Sequence, residues 1–139
     1  AVSALDVSIR AQIIDLLIEL QRTLGMAMLF ISHDLAVVRE ISHRVMVLYL
    51  GRVMELADRE QIWADPRHPY TRALISAAPI PDPERERARE RVKLTGEAPS
   101  PFDPASALRF LPSRRADPGY RPRLEQVAPG HWVAEHDTA

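Results

Sequence analysis

The residues best placed to do chemistry are Ser32, His33 and Asp34, which follow directly on the apolar run "MLFI". If that run is a strand, His33 lies at its carboxyl end, where open α/β sheets carry their ligand sites. An imidazole there can donate a hydrogen bond to a phosphate oxygen and sense its presence. The competing assignment is local: Ser32 or Asp34 caps the next helix and His33 fills the turn. Upstream, Asp6 of "SALD" (residues 3–6) can accept from the amides of a first helical turn and suits the helix dipole. His43 reads as an exposed helix-end residue. His131, Glu135, His136 and Asp137 crowd the C-terminal end, but their spacing matches no known metal site, so no metal is expected. Trp63 and Trp132 read as packing or interface groups. Neither Ser8 nor Ser32 is offered a base that would make it a nucleophile.

The elements that must position these groups follow from periodicity and punctuation. All 12 prolines stand at or after Pro66, so a boundary is expected near Ala64–Pro66, with uninterrupted helices and strands before it. Ile9, Ile13, Leu16, Leu17, Leu20 and Leu24 recur at spacings of three and four, predicting a helix from about Val7 to Leu24 with Gly25 as its left-handed cap. "MAMLFIS" suits a buried parallel strand, and a second helix is expected over Leu35–Ile41. "RVMVLYL" reads as a buried strand that Gly51 turns into its antiparallel partner "RVMELA". "DREQIWA" suits a short closing helix, and "PYTRALISA" a helix with Pro69 in its first turn. Beyond that, "PDPERERARERVK" reads as a solvated linker or exposed helix, and the tail as turns and extended segments. This alternation of helix and strand is the rhythm of an α/β layered domain.

Composition narrows the function classes. The net charge of −1 gives no global basic field for a nucleic-acid partner. With no cysteine there is neither a disulfide nor a thiolate-ligated metal or iron–sulfur centre. No apolar run approaches the roughly 18–20 residues a membrane span needs. The first residues mix Ser3, Asp6 and Arg10 with short apolar steps, unlike a signal peptide.

In order along the chain stand S-A-L-D, an amphipathic helix, an apolar segment, I-S-H-D, a helix, a strand and G-R-V-M-E. That order resembles the final third of an ABC-transporter ATPase core. "HPYTRALISAAP" (68–79), "GEAPSP" (96–101) and "GHWVAEH" (130–136) resemble the C-terminal extension of oligopeptide/dipeptide importer ATPases, of which glutathione and nickel importers are close variants. The resemblance implies an α/β fold: residues 1–64 as the C-terminal part of a RecA-like P-loop ATPase core, and 65–139 as a mostly irregular, proline-rich extension. It implies that the chain opens within a motif, as a piece of a longer subunit.

By that resemblance, Ser3, Ala4, Leu5 and Asp6 would form the D-loop between two ATPase subunits. His33 would be the H-loop switch at the γ-phosphate of ATP, with Asp34 supporting its loop. His68, Pro69 and Tyr70 would dock the extension on the core. The intact protein would use ATP and Mg²⁺ to drive peptide import. It would pair with a second ATPase subunit and transmembrane permease subunits, and indirectly with a substrate-binding protein, on the cytoplasmic face of the bacterial inner membrane. No nucleic acid is expected. The chain departs from the family pattern in two ways. It carries no G-x-x-x-x-G-K-[ST], no LSGGQ-type signature, no Q-loop and no Walker B residues, so alone it is expected to bind no nucleotide. Where many relatives ligate an iron–sulfur cluster through four tail cysteines, Leu108, Arg114, Tyr120 and Glu135 stand instead. The cluster is expected to be lost, with Phe110, Tyr120 and Trp132 packing the tail. Two alternatives remain: a non-catalytic regulatory or interaction module of the transporter, or another ABC-type ATPase, against which the "HPYTRAL" extension argues.

Overall fold

The computed structural model describes residues 7–79, 104–117 and 119–137. Residues Ser3–Asp6, expected to form a D-loop, the charged segment 81–93 and "GEAPSP" lie outside the described residues. The chain divides into two compact units, residues 1–43 and 44–139.

In the first unit, α1 spans Val7–Leu24 and α2 spans Leu35–Ile41, as the periodicity predicts. Gly25 ends α1 with φ at +61°, a left-handed conformation that costs glycine no Cβ clash. Ile14, Val37 and Ile41 form the core, with Leu17, Ile18 and Phe30 packed against it. The expected stripe is therefore rotated. Ile14, absent from it, is 1% exposed, while Ile9, Leu16, Leu20 and Leu24 face outward. The helix is apolar on two sides, and the described residues cover only one.

"MAMLFIS" is not a strand. Residues 26–34 run between the helices without ladder hydrogen bonds, and Leu29 and Ile31 are 89% and 86% exposed. A parallel strand exists only by bonding to a neighbour, and no described strand of this unit lies beside it. The alternation survives nonetheless: Met28 and Phe30 are half-buried where Leu29 and Ile31 are not.

The second unit is built on a four-stranded antiparallel sheet in the order β1-β2-β4-β3. β1 (Arg44–Tyr49) and β2 (Arg52–Asp58) form the expected hairpin. Its two-residue turn, Leu50–Gly51, has positive φ at both positions, the geometry that matches strand twist. β1 is an edge strand with Met46 and Leu48 exposed, so it is not buried on both faces. α3 (Arg59–Ala64) follows through a capping box between Asp58 and Gln61. α4 (Pro69–Ala77) starts with Pro69 in its first turn. Two 3-10 turns, Pro104–Leu108 and Pro112–Arg114, lead to β3 (Leu124–Ala128) and β4 (His131–Ala134).

The extension carries one ordered element that the sequence reading did not expect, a hairpin. Past residue 65 the chain forms a helix and a hairpin, and β4 pairs with β2 through Glu55↔Val133 and Leu56↔Trp132. Pro129–Gly130 between two apolar-rich stretches was the available turn signal.

Candidate functional site

Asp34 organises the turn that carries His33. Its Oδ1 accepts from the Ala36 and Val37 amides at 3.1 and 3.4 Å, capping α2. Its Oδ2 meets the Arg10 guanidinium of α1 at 2.7 Å. Its own N–H donates to Ser32 Oγ at 3.0 Å. The residues on either side of His33 are thus pinned, one to both helices, while the imidazole itself is exposed. A ring held at its base and open at its tip can engage a partner without reordering the backbone first.

The second constellation centres on Glu55, in the inner strand β2 and 0% exposed. Its two oxygens accept from the Arg67 and His68 amides at 2.8 and 2.9 Å. His131 Nε2, from β4, stands 2.6 Å from Oε1 and donates the third bond. One carboxylate therefore joins β2, β4 and the connection into α4.

His68 continues this network. Its Nδ1 accepts from the Tyr70 amide at 3.1 Å, capping α4, so the neutral ring carries its proton on Nε2. Nε2 is buried with no partner among the described residues. The rings of Phe110 and His136 pack against it in T-shaped contacts, at 5.1 and 5.0 Å. Burial, then the neighbouring His136, lowers its pKa from 6.5 to about 4, against an opposing pull from Glu55. A protonated Nε2 offers no lone pair to a metal. Beside it, Tyr49, Tyr70 and Phe110 form an aromatic cluster with centroids 4.8 to 5.6 Å apart.

The acidic and imidazole groups near the C-terminal end turn to separate partners. His131 goes to Glu55, and His136 Nδ1 donates to the Ala134 carbonyl at 2.9 Å. Asp137 accepts from the Ser113 amide and hydroxyl. Glu135 Oε2 accepts from the Tyr120 hydroxyl at 2.6 Å and the Arg123 amide at 2.9 Å. The Arg123 amide first, then Tyr120, holds the Glu135 carboxyl below its ordinary range, and the same bond to Glu135 raises the Tyr120 hydroxyl. Among the described residues, no three of these groups converge as metal ligands do.

A family model described as "Oligopeptide/dipeptide transporter, C-terminal region" matches residues 54–117, a span that includes Glu55, His68, Tyr70 and Phe110. Residues 54–117 thus resemble the C-terminal region of oligopeptide/dipeptide transporters. A "Probable peptide ABC transporter ATP-binding protein" of Sinorhizobium fredii is 60% identical over 81% of the chain and 31% of its own length. The "Glutathione import ATP-binding protein GsiA" of Pectobacterium atrosepticum is 52% identical over 100% of the chain and 20% of its own length. The chain spans less than half the length of the curated relatives it matches.

The groups this family implies can be tested on the residues present. A nucleotide needs a backbone nest with its lysine and metal ligands, and this sequence carries no G-x-x-x-x-G-K-[ST] to supply one. An iron–sulfur cluster needs thiolates. At the four tail positions Leu108 is buried, Tyr120 is bonded to Glu135, and the Arg114 guanidinium lies 5.0 Å from the Tyr120 ring centroid. That set holds together by hydrogen bond and cation–π contact and does not fit a cluster. Phe110 joins the aromatic cluster, and Trp132 is half-buried in β4.

Sequence reasoning missed Glu55 and its bond to His131. The signal was a lone carboxylate amid the apolar residues of "RVMELA", but its partner lies 76 residues away. Glu55→Ala leaves His131 and two amides unpaired in the interior, and should cost about 3–5 kcal/mol in urea unfolding. Glu55→Gln, which keeps an acceptor, should cost clearly less. His68 gives the pH dependence. Neutral in the folded chain, it contributes stability that is fully present above 6.5 and lost as pH falls toward about 4. His68→Asn keeps the cap and removes the titration, so its unfolding midpoint should fall less steeply across that window than the wild type's.

Proposed function

We propose that this chain is the C-terminal portion of an ATP-binding subunit of a bacterial ABC importer for peptides. Residues 1–64 would complete a RecA-like ATPase core and 65–139 form its extension. The complete subunit would hydrolyse ATP with Mg²⁺ at the cytoplasmic face of the inner membrane, paired with a second ATPase subunit and with permease subunits. Indirectly it would serve a substrate-binding protein. Among the described residues, no helix is long and apolar enough to cross a membrane, which is compatible with a peripheral subunit.

The observation that carries this reading is the exposed imidazole of His33 on a turn fixed by Asp34. In the complete subunit His33 donates a hydrogen bond to the terminal phosphate, and Asp34 holds the turn. Ser3, Ala4, Leu5 and Asp6 form the D-loop at the interface between ATPase subunits. His68, Pro69 and Tyr70 serve a structural role, supported by the α4 cap, the Glu55 bond and the aromatic cluster. In segment 26–34, the exposed Leu29 and Ile31 become a buried strand face once the rest of the core is present.

Two measurements test the proposal. The 139-residue chain alone should show no ATP turnover and no micromolar ATP affinity; turnover by the chain would contradict the reading. In the complete subunit with its permease, His33→Ala should lower ATP hydrolysis by about 10²-fold while leaving ATP binding within about twofold. Unchanged hydrolysis in that variant would remove His33 from the mechanism.

A further inference from the structure

A cavity of about 350 Å³ opens in the second unit, between the 3-10 turn at Pro112–Arg114 and the β3–β4 hairpin. Its apolar floor includes Leu111 and Val133, both buried. Its walls carry charge of both signs. The Arg114 guanidinium rests over the Tyr120 ring and makes no hydrogen bond or ion pair among the described residues. Glu125, on the edge strand β3 and in register with Val133, is exposed and likewise makes none. Glu135 uses Oε2 for Tyr120 and Arg123, and its Oε1 accepts nothing among the described residues.

Arg114 acts on Glu135 through space without pairing with it, so charges of opposite sign stand unbridged above an apolar floor and select a ligand with matching groups. The cavity lies at the small end of the range for ligand sites, where an amino acid or a short peptide fits. We propose that it binds a small zwitterion with an apolar side chain, a free amino acid or a short peptide. The ligand's carboxylate meets Arg114, whose fork of N–H donors matches it. Its ammonium faces Glu125 and Glu135, and its side chain covers Leu111 and Val133. Tyr120 holds Arg114 by its ring and Glu135 by its hydroxyl, which positions both charges before the ligand arrives. This site needs nothing from the His33 turn, so it stands or falls apart from the nucleotide reading.

The test is calorimetric titration of the 139-residue chain, with backbone-amide NMR, using the dipeptide Gly-Leu, its N-acetyl form and its C-terminal amide. Gly-Leu should bind and shift the amides of Arg114, Glu125 and Glu135, while each capped form binds at least about tenfold more weakly. Arg114→Gln and Glu125→Gln should each weaken Gly-Leu about tenfold while the chain stays folded, Glu125→Gln at an unchanged melting temperature. Glu135 is left intact because it also fixes Tyr120. Equal binding of all three probes, no binding of Gly-Leu at about 10 mM, or unchanged affinity in either well-folded variant overturns the proposal.

Discussion

One carboxylate, buried in the middle of a sheet, sets the arrangement of the second unit. A charged group in an apolar interior costs several kcal/mol unless its lone pairs are matched. Glu55 meets that demand with three donors from two chain segments: the His131 side chain and the Arg67 and His68 amides. Apolar packing alone would tolerate β4 shifted along β2 or α4 entering at another angle. The carboxylate does not, because any such shift strands at least one hydrogen-bonding group without water. Register Glu55↔Val133 is therefore fixed by polar complementarity as well as by the strand ladder.

The same logic links this node to its neighbours. His68 donates its N–H to Glu55 and accepts the Tyr70 amide at its Nδ1, so one residue both anchors the connection and starts α4. That start brings Tyr70 against Tyr49 and Phe110, edge-to-face pairs worth about 0.5–1.5 kcal/mol each beyond their burial. In the first unit Asp34 has a parallel role at a smaller scale. It ties α1 to the start of α2 and leaves the adjacent His33 ring in solvent. Both acidic residues order backbone by accepting from amides. Only Asp34 does so beside a side chain free to meet a partner.

The sequence was most legible where the determinants are local. α1, α2, the β1–β2 hairpin, α3 and α4 follow from periodicity, caps, Gly51 and Pro69, all within one turn of the residues they govern. "MAMLFIS" misled because its composition specifies an extended, apolar segment, whereas a strand also needs a neighbour to bond to. The β3–β4 hairpin was obscured by the prolines and charges around it, although Pro129–Gly130 marked its turn. At the candidate sites the types of residue were readable and their pairings were not. His131, Glu135, His136 and Asp137 looked like one cluster, yet each turns to a different partner: only His131 lies in β4, and the three that follow its end bond to Tyr120 and Arg123, to Ala134 and to Ser113. Glu55 was legible only as a member of a motif, its role waiting on a partner that the fold supplies.

The claim that Glu55 fixes this arrangement is tested most directly by native-state hydrogen exchange at the Arg67 and His68 amides. Both lie in a connection outside any helix or strand, where exchange is ordinarily governed by cheap local openings. If the buried carboxylate holds them, they should exchange only in the opening that also releases the paired residues of β2 and β4, with the same free energy. Exchange at the rate of an unprotected loop, while β2 and β4 stay protected, would contradict the account.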